Sequence, residues 1–523
     1  MCGRHANVTR APGRPLTRRS RLGHAPLVLS SPAPFGGSRR PAFRLLPRVS
    51  SVTAALLAAL VSCPEAGAAA PSPRPPNLIV LLCDNLGYGD TGPFGSTLHR
   101  TPELDRMARE GTRLTHLYAA SGVCTPSRAA LMTGAYPRRV NLHRNARGGA
   151  VLQPVEPIGL HPAEETIAEL LRERGYATAM IGKWHLGDQA PFLPTRQGFA
   201  SYLGVPYSDD MTPREGQPWP ELPLLRNEEV IEAPVDRDYL TRREAEAAVR
   251  FIQEHRERPF FLYVAHAMPG STRAPHASPA FRGRSRHGAW GDAVEELDWA
   301  AGQILAAVRA SGLAEHTVVL WTSDNGAPRR DPVQGSNLPL GGWGYTTSEG
   351  GMRVPGIVWA PGRVPAGREC AELTTLMDVL PTFVRLAGGR LPTQPIDGRD
   401  VWPLLAGETG ARSPHEAFYY YHGEQLQAVR SGPWKLHLAL PARATLAAGK
   451  AAGPRRAQLF DVTRDPGEKE DLHATRPEIV ARLEQAADAA RAELGDTDRP
   501  GRGQRPAGWV ADPRPLRLPA ASR

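Results

Sequence analysis

The sequence predicts an α/β fold in which helices sandwich a large, mostly parallel sheet, with a smaller C-terminal α+β subdomain. Two observations predict it. Leu78–Cys83 is an unbroken apolar run, which is typical of a strand buried on both faces. Helical and strand patterns then alternate up to about residue 410, as they do in parallel sheets covered by helices.

The alternating elements follow in chain order. The predicted helices before residue 410 are Thr101–Arg113, Glu165–Arg174, 242–256 and Ala293–Ala310. The predicted strands after the first are Ala177–Ile181, Pro259–Val264 and Thr317–Thr322. The predicted C-terminal subdomain consists of short antiparallel strands at Tyr419–His422, Gln427–Arg430 and Trp434–Leu438 and of an amphipathic helix at Pro477–Leu494.

The charge distribution excludes a nucleic-acid-binding domain despite the formal net charge of +10. Residues 1–50 contain ten Arg and no Lys, Asp or Glu, so the remaining chain has 53 basic and 53 acidic residues. A neutral body offers no basic domain that would follow a phosphate backbone. Five Cys in 523 residues are too few for a disulfide scaffold, and no C-x-x-C pair indicates a zinc site.

The N-terminal region predicts export. Residues 1–50 are interpreted as a disordered or mis-assigned extension, because they are rich in Arg, Pro and Ser and have no sustained apolar period. Residues 51–70 are interpreted as a signal segment, since Arg44 and Arg48 precede the apolar run Val52–Val61. This run has the length of a signal sequence and is too short to span a bilayer.

The end of this segment leaves two cleavage positions open. Cys63 lies where a bacterial lipoprotein signal would be cut and lipidated, and Ala66–Ala70 offers an alternative cut. The predicted location is therefore the periplasm or a lipid anchor on the membrane, in preference to secretion. The further predicted boundaries are a Pro-rich linker at 71–76, a catalytic domain at 77–410, a C-terminal subdomain at 411–496 and a flexible tail at 497–523.

Two predicted strands end in the same pair of residue types. Asp84-Asn85 follows the first strand, and Asp324-Asn325 follows the strand Thr317–Thr322. Sites in open parallel sheets form beyond the carboxyl ends of strands, and carboxylate and amide oxygens suit Ca²⁺ or Mg²⁺. Either pair alone also fits a simple turn, but the repetition after two strands favours a shared cation site.

A third element is the eleven-residue segment Cys124–Gly134, with the sequence CTPSRAALMTG. The pattern predicts a helix that begins at Cys124 and carries Arg128 one turn on. A helix N-terminus reinforced by a guanidinium favours an anion. A lone Cys is more often a small buried hydrophobe, but the whole segment is far more specific than one Cys.

This segment resembles the sulfatase signature C-x-P-S-R-x-x-x-L-T-G, with Met132 in place of the common Leu. The stretch Gly175–Gly187 is similar to a second signature of that family. The resemblance covers about residues 76 to 490 and is closest to the arylsulfatase A type, within the alkaline phosphatase-like superfamily. It implies a sulfuric ester hydrolase (EC 3.1.6 type) that acts on aryl sulfates or sulfated carbohydrates.

The resemblance also implies the machinery. In that family the residue at Cys124 is oxidised to formylglycine by a formylglycine-generating enzyme, and the hydrate of that aldehyde attacks sulfur with the help of a bound Ca²⁺ or, alternatively, Mg²⁺. The implied metal ligands are Asp84, Asn85, Asp324 and Asn325. The implied catalytic residues are Cys124, Arg128, Lys183, His185 and Ser208.

Three positions depart from the family pattern. The family more often has Asp at the position of Asn85, so this site has one negative charge fewer. A His that protonates the leaving alcohol is replaced by Gly270, and a Lys that holds sulfate is replaced by Gly344. His276, six residues after Gly270, is the candidate replacement for the missing acid. These departures predict that aryl sulfates, which are good leaving groups, are hydrolysed better than alkyl or sugar sulfates.

Two other functions stay open from the sequence. The missing His and Lys fit a catalytically impaired sulfatase-fold protein that binds sulfated glycans. The same formylglycine and metal also serve a phosphodiesterase or phosphonate hydrolase. The preferred hypothesis is a sulfatase whose partners are a sulfated small molecule or glycan and the formylglycine-generating enzyme.

Overall fold

A computed structural model describes residues 74–441, 445–446, 450–451, 453–497 and 499–519. The predicted N-terminal extension, the signal segment and the lipidation at Cys63 lie outside the described residues. Within the described part of the chain, no helix is both long and apolar enough to cross a membrane.

The bounds of the helices and strands are as follows. The helices are α1 (Pro102–Glu110), α2 (Cys124–Thr133), α3 (Ile167–Glu173), α4 (Leu240–Glu254), α5 (Gly288–Ala310), α6 (Glu349–Met352), α7 (Val379–Leu386), α8 (Trp402–Leu405) and α9 (Pro477–Leu494). The strands up to residue 400 are β1 (Asn77–Asp84), β2 (Thr112–Tyr118), β3 (Ile158–Gly159), β4 (Ala177–Gly182), β5 (Ser201–Gly204), β6 (Leu224–Arg226), β7 (Glu229–Glu232), β8 (Phe260–Pro269), β9 (Thr317–Ser323), β10 (Arg353–Trp359), β11 (Arg368–Cys370) and β12 (Thr374–Thr375). The remaining strands are β13 (Phe418–His422), β14 (Gln425–Ser431), β15 (Trp434–His437), β16 (Thr445–Leu446), β17 (Lys450–Ala451), β18 (Gln458–Asp461), β19 (Gly495–Asp496), β20 (Arg499–Pro500) and β21 (Gly508–Trp509).

The central sheet has eleven strands in the order β11-β2-β10-β9-β1-β8-β4-β5-β6-β7, with β12 paired to β2. The inner strands β9, β1, β8, β4 and β5 run parallel. β10 is antiparallel to both β9 and β2, so the sheet is mixed. The predicted α/β class with a large helix-covered sheet is confirmed.

β1 lies in the middle of the sheet and is buried on both faces. Its side chains alternate between two hydrophobic clusters, with Leu78, Val80 and Leu82 in one and the intervening residues in the other. Helices α2, α3 and α7 contribute to the first cluster, and α1, α4 and α5 to the second. The continuous apolar run therefore reflects helices on both faces of the sheet.

The C-terminal part forms a four-stranded antiparallel sheet, β13-β14-β15-β18, against which α9 packs. A buried ion pair joins this sheet to the main domain, since Lys435 Nζ on β15 donates to Glu349 Oε1 on α6 at 3.1 Å. The predicted boundary near residue 410 falls between α8 and β13. The predicted helix Pro477–Leu494 agrees with α9 at both ends.

Two predictions differ from the structure. The helix predicted over Thr101–Arg113 ends at Glu110, because the backbone of Gly111 is extended and Thr112 already begins β2, where it pairs with Val358 of β10. The flexible tail predicted at 497–523 is also wrong for residues 499–519. β21 pairs with β3, and Arg505 forms a salt bridge with Glu164 at 2.7 Å, so this segment lies against the main domain.

Candidate active site

The two Asp-Asn pairs meet because β1 and β9 are adjacent, parallel and in register. Cys83 pairs with Ser323 at the carboxyl ends of the two strands. The backbone N–H of Asn85 donates to Asp324 Oδ1 at 3.0 Å, and Asn325 Nδ2 donates to Asn85 Oδ1 at 2.6 Å. All four side chains are fully buried. Asn85 has a positive φ of 62°, a conformation that Asn tolerates better than most residues.

Arg128 bridges the two carboxylates. Its Nη2 donates to Asp84 Oδ1 at 2.9 Å and to Asp324 Oδ2 at 2.8 Å, and its Nη1 donates to the Lys183 carbonyl at 2.7 Å. The guanidinium is buried, so removing it would leave Asp324 without its counter-charge and Asp84 with Lys183 alone. The position of Arg128 one turn into α2 therefore connects this helix to both strand ends.

Lys183 follows β4 and places a second cation beside Asp84. Its Nζ donates to Asp84 Oδ1 at 2.7 Å and to Ser208 Oγ at 3.2 Å. Burial alone would raise the pKa of Asp84, but the charges of Lys183 and Arg128 hold it below its usual value. Burial and the neighbouring Asp84 charge raise the pKa of Asp324 to about 7. Two buried carboxylates of this kind favour an additional cation.

Cys124 begins α2, as predicted, and its Sγ lies 4.0 Å from Asn85 Oδ1. No side chain caps the first turn of this helix, so the positive end of the helix dipole faces the site. Burial, followed by the Asp84 charge, raises the pKa of the Cys124 thiol well above its ordinary value. An unmodified Cys124 is thus a neutral thiol and a poor nucleophile.

His185 is buried and neutral. Its Nε2 lies 2.9 Å from the Leu152 carbonyl, which can only accept, so Nε2 carries the proton and Nδ1 has a free lone pair. Nδ1 is buried and has no hydrogen-bond partner among the described residues. Burial and the Lys183 charge lower the pKa of His185 well below its usual value. The loop backbone is held in place because Thr125 Oγ1 donates to the His185 carbonyl at 3.0 Å.

The donor set fits a hard divalent cation. Ligand atoms of Asp84, Cys124 and Asp324 lie within 4.8 Å of one another. Among the residues that the structure describes, Asn325 Oδ1 is buried without a hydrogen-bond partner, and the two Asn amides contact each other. Rotating the Asn325 amide exchanges its oxygen and nitrogen and would place the oxygen next to Asn85 Oδ1. Oxygen ligands from two carboxylates and two amides suit Ca²⁺ or Mg²⁺.

The two unusual glycines border this cluster, and neither position can accept a side chain. Gly270 donates its N–H to the Asp84 carbonyl at 3.1 Å and has φ 76°. A Cβ there would lie 2.6 Å from Asp209 Oδ1. Gly344 donates to the Ala327 carbonyl at 2.8 Å, and a Cβ there would lie 2.2 Å from the Gly326 carbonyl oxygen. The backbone is therefore built for glycine at both positions.

Two hydroxyl groups that were not predicted from the sequence lie next to Gly270 and Gly344. The Tyr345 hydroxyl lies 3.2 Å from Ser271 Oγ, and Ser271 Oγ accepts from Asn85 Nδ2 at 3.0 Å. Tyr345 has φ 68°, and its N–H donates to the Gly122 carbonyl at 2.9 Å. Burial and then the Cys124 charge raise the pKa of Tyr345, so its phenol stays a hydrogen-bond donor. Both residues immediately follow the two unusual glycines, which is the sequence signal that could have identified them.

His276 is engaged elsewhere. Its Nδ1 pairs with Asp238 at 2.8 Å, and Asp238 also binds Arg282. In the described part of the chain His276 makes no hydrogen bond to a residue of the cluster around Cys124. The structure therefore gives no support to the prediction that His276 replaces the missing acid. Eight of the other predicted residues are connected by the contacts described above, namely Asp84, Asn85, Cys124, Arg128, Lys183, Ser208, Asp324 and Asn325. His185 is held beside them through Thr125, the residue that follows Cys124.

Comparison with known proteins matches both parts of the chain to one family. The sulfatase family model matches residues 76–389, and the model of the C-terminal region of aryl-sulfatase matches residues 413–507. The chain is 38% identical to steryl-sulfatase of Mus musculus over 86% of this chain and 87% of that protein. It is 37% identical to human arylsulfatase A over 79% of this chain and 87% of that protein. The crystal structure of the PsFucS1 sulfatase from Pseudoalteromonas sp. aligns with a TM-score of 0.70 and 30% identity, over 80% of this chain and 90% of that one.

Proposed function

This chain belongs to the sulfatase family and hydrolyses sulfate esters, and we propose that it does so through a formylglycine formed from Cys124 and a bound divalent cation, Ca²⁺ in preference to Mg²⁺. The observation that carries the proposal is the buried cluster in which Cys124 lies at the N-terminus of α2 beside Asp84 and Asp324. The alcohol released is an aryl or a carbohydrate hydroxyl.

Formylglycine and the cation each supply one kind of chemistry. Formylglycine, once hydrated, provides a hydroxyl nucleophile that a thiol held neutral by burial does not provide. The cation, when bound by the four strand-end side chains, stabilises negative charge on the sulfate oxygens. Asn85 in place of Asp gives the ligand set one negative charge fewer, so the site attracts an anionic substrate more strongly and holds the cation less tightly.

The protein's own residues orient the reacting groups. Lys183 and Arg128 are buried cations whose positions are fixed by Asp84 and Asp324, so they stabilise developing negative charge without reorganising. Ser208 holds Lys183 in place through its hydroxyl. His185 is neutral and offers the free lone pair of Nδ1, which accepts a hydrogen bond and orients its donor.

On the leaving-group side, Tyr345 and Ser271 provide the hydrogen bonds in place of a charged acid and a lysine. The Tyr345 phenol donates to the ester or sulfate oxygen, and Ser271 holds that phenol in position. A phenol of raised pKa is a weak proton donor, so alkyl and sugar alcohols, which depend most on protonation, still leave more slowly than phenols, which need little assistance. This role for Tyr345 explains how activity survives the two glycines.

We also propose that the protein is exported before it acts, in the periplasm or on a lipid anchor at Cys63. The proposal rests on the basic residues followed by the apolar run Val52–Val61. The formylglycine-generating enzyme is the expected partner before or during export. Fractionation of expressing cells, with a Cys63→Ser variant to remove the lipid site, tests the location.

The function is tested by release of sulfate from 4-methylumbelliferyl sulfate. The protein is co-expressed with a formylglycine-generating enzyme, and conversion of Cys124 is quantified by peptide mass spectrometry. We expect turnover proportional to the converted fraction, its loss with a chelator and its recovery with Ca²⁺. Full activity with unconverted Cys124, or indifference to the chelator, contradicts the proposal.

Gly270 and Gly344 favour one alternative, a protein that binds sulfated glycans without hydrolysing them. The same experiment separates the two functions. A fully converted, calcium-loaded protein that binds sulfated saccharides and releases no sulfate from any ester would be such a binder. Release of phosphate from the corresponding phosphodiester, with no release of sulfate, would instead identify a phosphodiesterase.

A further inference from the structure

An arginine-rich cleft adjoins the leaving-group side of the site. It has a volume of about 520 Å³ and is lined by Arg273, Arg329, Arg330, Asp331, Pro332 and Gln334. The loops that form it follow β8 and β9, the same two strands that flank β1. The cleft therefore opens at the edge of the sheet where the reacting groups lie.

The three guanidiniums of this cleft have no carboxylate partner among the described residues. Arg330 donates through Nη2 to the Ser271 carbonyl, and its Nε is buried with no hydrogen-bond partner in the described part of the chain. Arg273 and Arg329 are exposed. In this chain many other surface arginines pair with Asp or Glu, for example Arg390 with Glu173 and Arg505 with Glu164. Three adjacent unpaired cations in a cleft favour a bound anion.

One residue connects the cleft to the reacting centre. The Ser271 carbonyl accepts a hydrogen bond from Arg330, while the Ser271 hydroxyl contacts both Asn85 and Tyr345. Gly270, which precedes it, has no side chain to separate the two regions. A substrate whose sulfate lies between Lys183 and Tyr345 would thus extend its alcohol portion past Ser271 towards the arginines.

We propose that this cleft binds a second anionic group, a sulfate or carboxylate, carried on the alcohol portion of the substrate. The proposal rests on the proposed function and narrows it to multiply charged saccharides. The catalytic cluster binds one sulfate, and the arginines then select substrates with a further oxyanion nearby. Neutral sterols and simple phenols lack this group and gain nothing from the cleft.

Binding is tested without turnover on the full-length Cys124→Ala protein in the presence of Ca²⁺. Isothermal titration calorimetry compares three probes. The first is an N-acetylated hexosamine with one sulfate, the second a hexosamine with two sulfates, and the third a monosulfated disaccharide of uronate and hexosamine. We expect the second or third probe to bind at least about tenfold more tightly than the first. Tighter binding of the second probe would identify a sulfate as the second anion, and tighter binding of the third would identify a carboxylate.

A double substitution then locates the effect. Arg273→Gln with Arg329→Gln should reduce the preference for the second charge to about twofold or less, whereas Arg330 is left intact because it also supports the Ser271 carbonyl. The matched control is Arg250→Gln with Arg482→Gln, which removes two exposed positive charges on α4 and α9 and should keep the full preference. Thermal unfolding confirms that both double variants are folded.

The outcomes separate this proposal from the proposed function. Three results would overturn the proposal that the cleft binds a second anion. They are equal affinities for the three probes, no measurable binding of any probe, and a preference that survives in the arginine double variant. Sulfate release from 4-methylumbelliferyl sulfate by the wild-type protein is measured separately. Its absence contradicts the function and leaves the binding result to be judged by itself.

Discussion

The two sides of the active site are built in different ways. On the side of the cation and sulfur, the four Asp and Asn side chains and Lys183 lie at strand ends, Cys124 and Arg128 lie in the first two turns of α2, and all of them are buried. On the side of the leaving group, Ser271, Tyr345 and the arginine cleft lie in loops and are half-buried or exposed. The sheet therefore positions the groups that react at sulfur, while the loops determine which alcohol can leave.

The largest effect is expected from the residue that begins α2. Cys124→Ala removes the precursor of the nucleophile, so sulfate release should fall by at least about 10⁴-fold. The fold should remain, since the Sγ makes only a long contact to Asn85. Cys370→Ala, at another buried free thiol, is the matched control and should retain activity. Turnover by Cys124→Ala at the rate of the control would remove Cys124 from the mechanism.

The next effect compares an arginine on each side. Arg128→Met would leave Asp324 buried without its counter-charge and Asp84 paired with Lys183 alone, and it should lower the free energy of unfolding by about 3–5 kcal/mol. Arg330→Met removes one hydrogen bond at a half-buried position and should lower it by about 1 kcal/mol. Urea unfolding of the two variants measures both values. Equal losses would mean that the two sides do not differ in how firmly they are built.

A smaller effect is expected at Tyr345. Tyr345→Phe should reduce kcat by about 10–100-fold for a sugar sulfate, and less for an aryl sulfate, because only the poorer leaving group depends on the hydroxyl. Tyr419→Phe, on β13 of the C-terminal sheet, is the control and should keep both rates. If Tyr345→Phe loses both activities equally, the hydroxyl supports the structure and does not assist the leaving group.

The smallest effect concerns stability and is independent of both sides. His143 Nε2 accepts from Arg138 Nη1 at 2.8 Å, and burial with the Arg138 charge lowers its pKa to about 3. Because the unfolded chain takes up this proton near pH 6.5 and the folded protein does not, stability falls as the pH falls from about 7 towards 3. The loss at pH 5.5 should be about 1 kcal/mol.

Denaturant unfolding at pH 7.5 and 5.5 measures this loss. A His143→Gln variant should show a smaller decrease between the two values, since its side chain does not titrate. An unchanged decrease would show that His143 does not contribute to acid sensitivity. The comparison also separates the pH dependence of the fold from that of the reaction on either side of the site.

The sulfur side was predictable from the sequence because its signals are local. The apolar run of β1 and the Asp-Asn pairs predicted that Asp84 and Asp324 would approach each other, and adjacent parallel strands bring them together. The start of α2 at Cys124 followed from the residue types of its first turn. Residues such as Lys183 were implied only by the family resemblance, since no local pattern directs their side chains into the site.

The leaving-group side was not predictable in the same way. The contact between Ser271 and Tyr345 joins residues 74 positions apart in the chain, and neither residue type carries a signal by itself. His276 was proposed from its distance in sequence, but its side chain turns to Asp238. The insertion of β10 between β2 and β9 was missed for a related reason, because strand order depends on long-range packing.

In this protein an intact sulfur side of the active site is combined with a weakened leaving-group side. The most direct test measures kcat/KM for a series of aryl and alkyl sulfates with leaving groups of increasing pKa, using protein whose Cys124 is fully converted. We predict a steep decrease in kcat/KM as the leaving-group pKa rises, which becomes steeper still in Tyr345→Phe. A rate that does not depend on the leaving-group pKa, with alkyl sulfates hydrolysed as fast as aryl sulfates, would contradict the account.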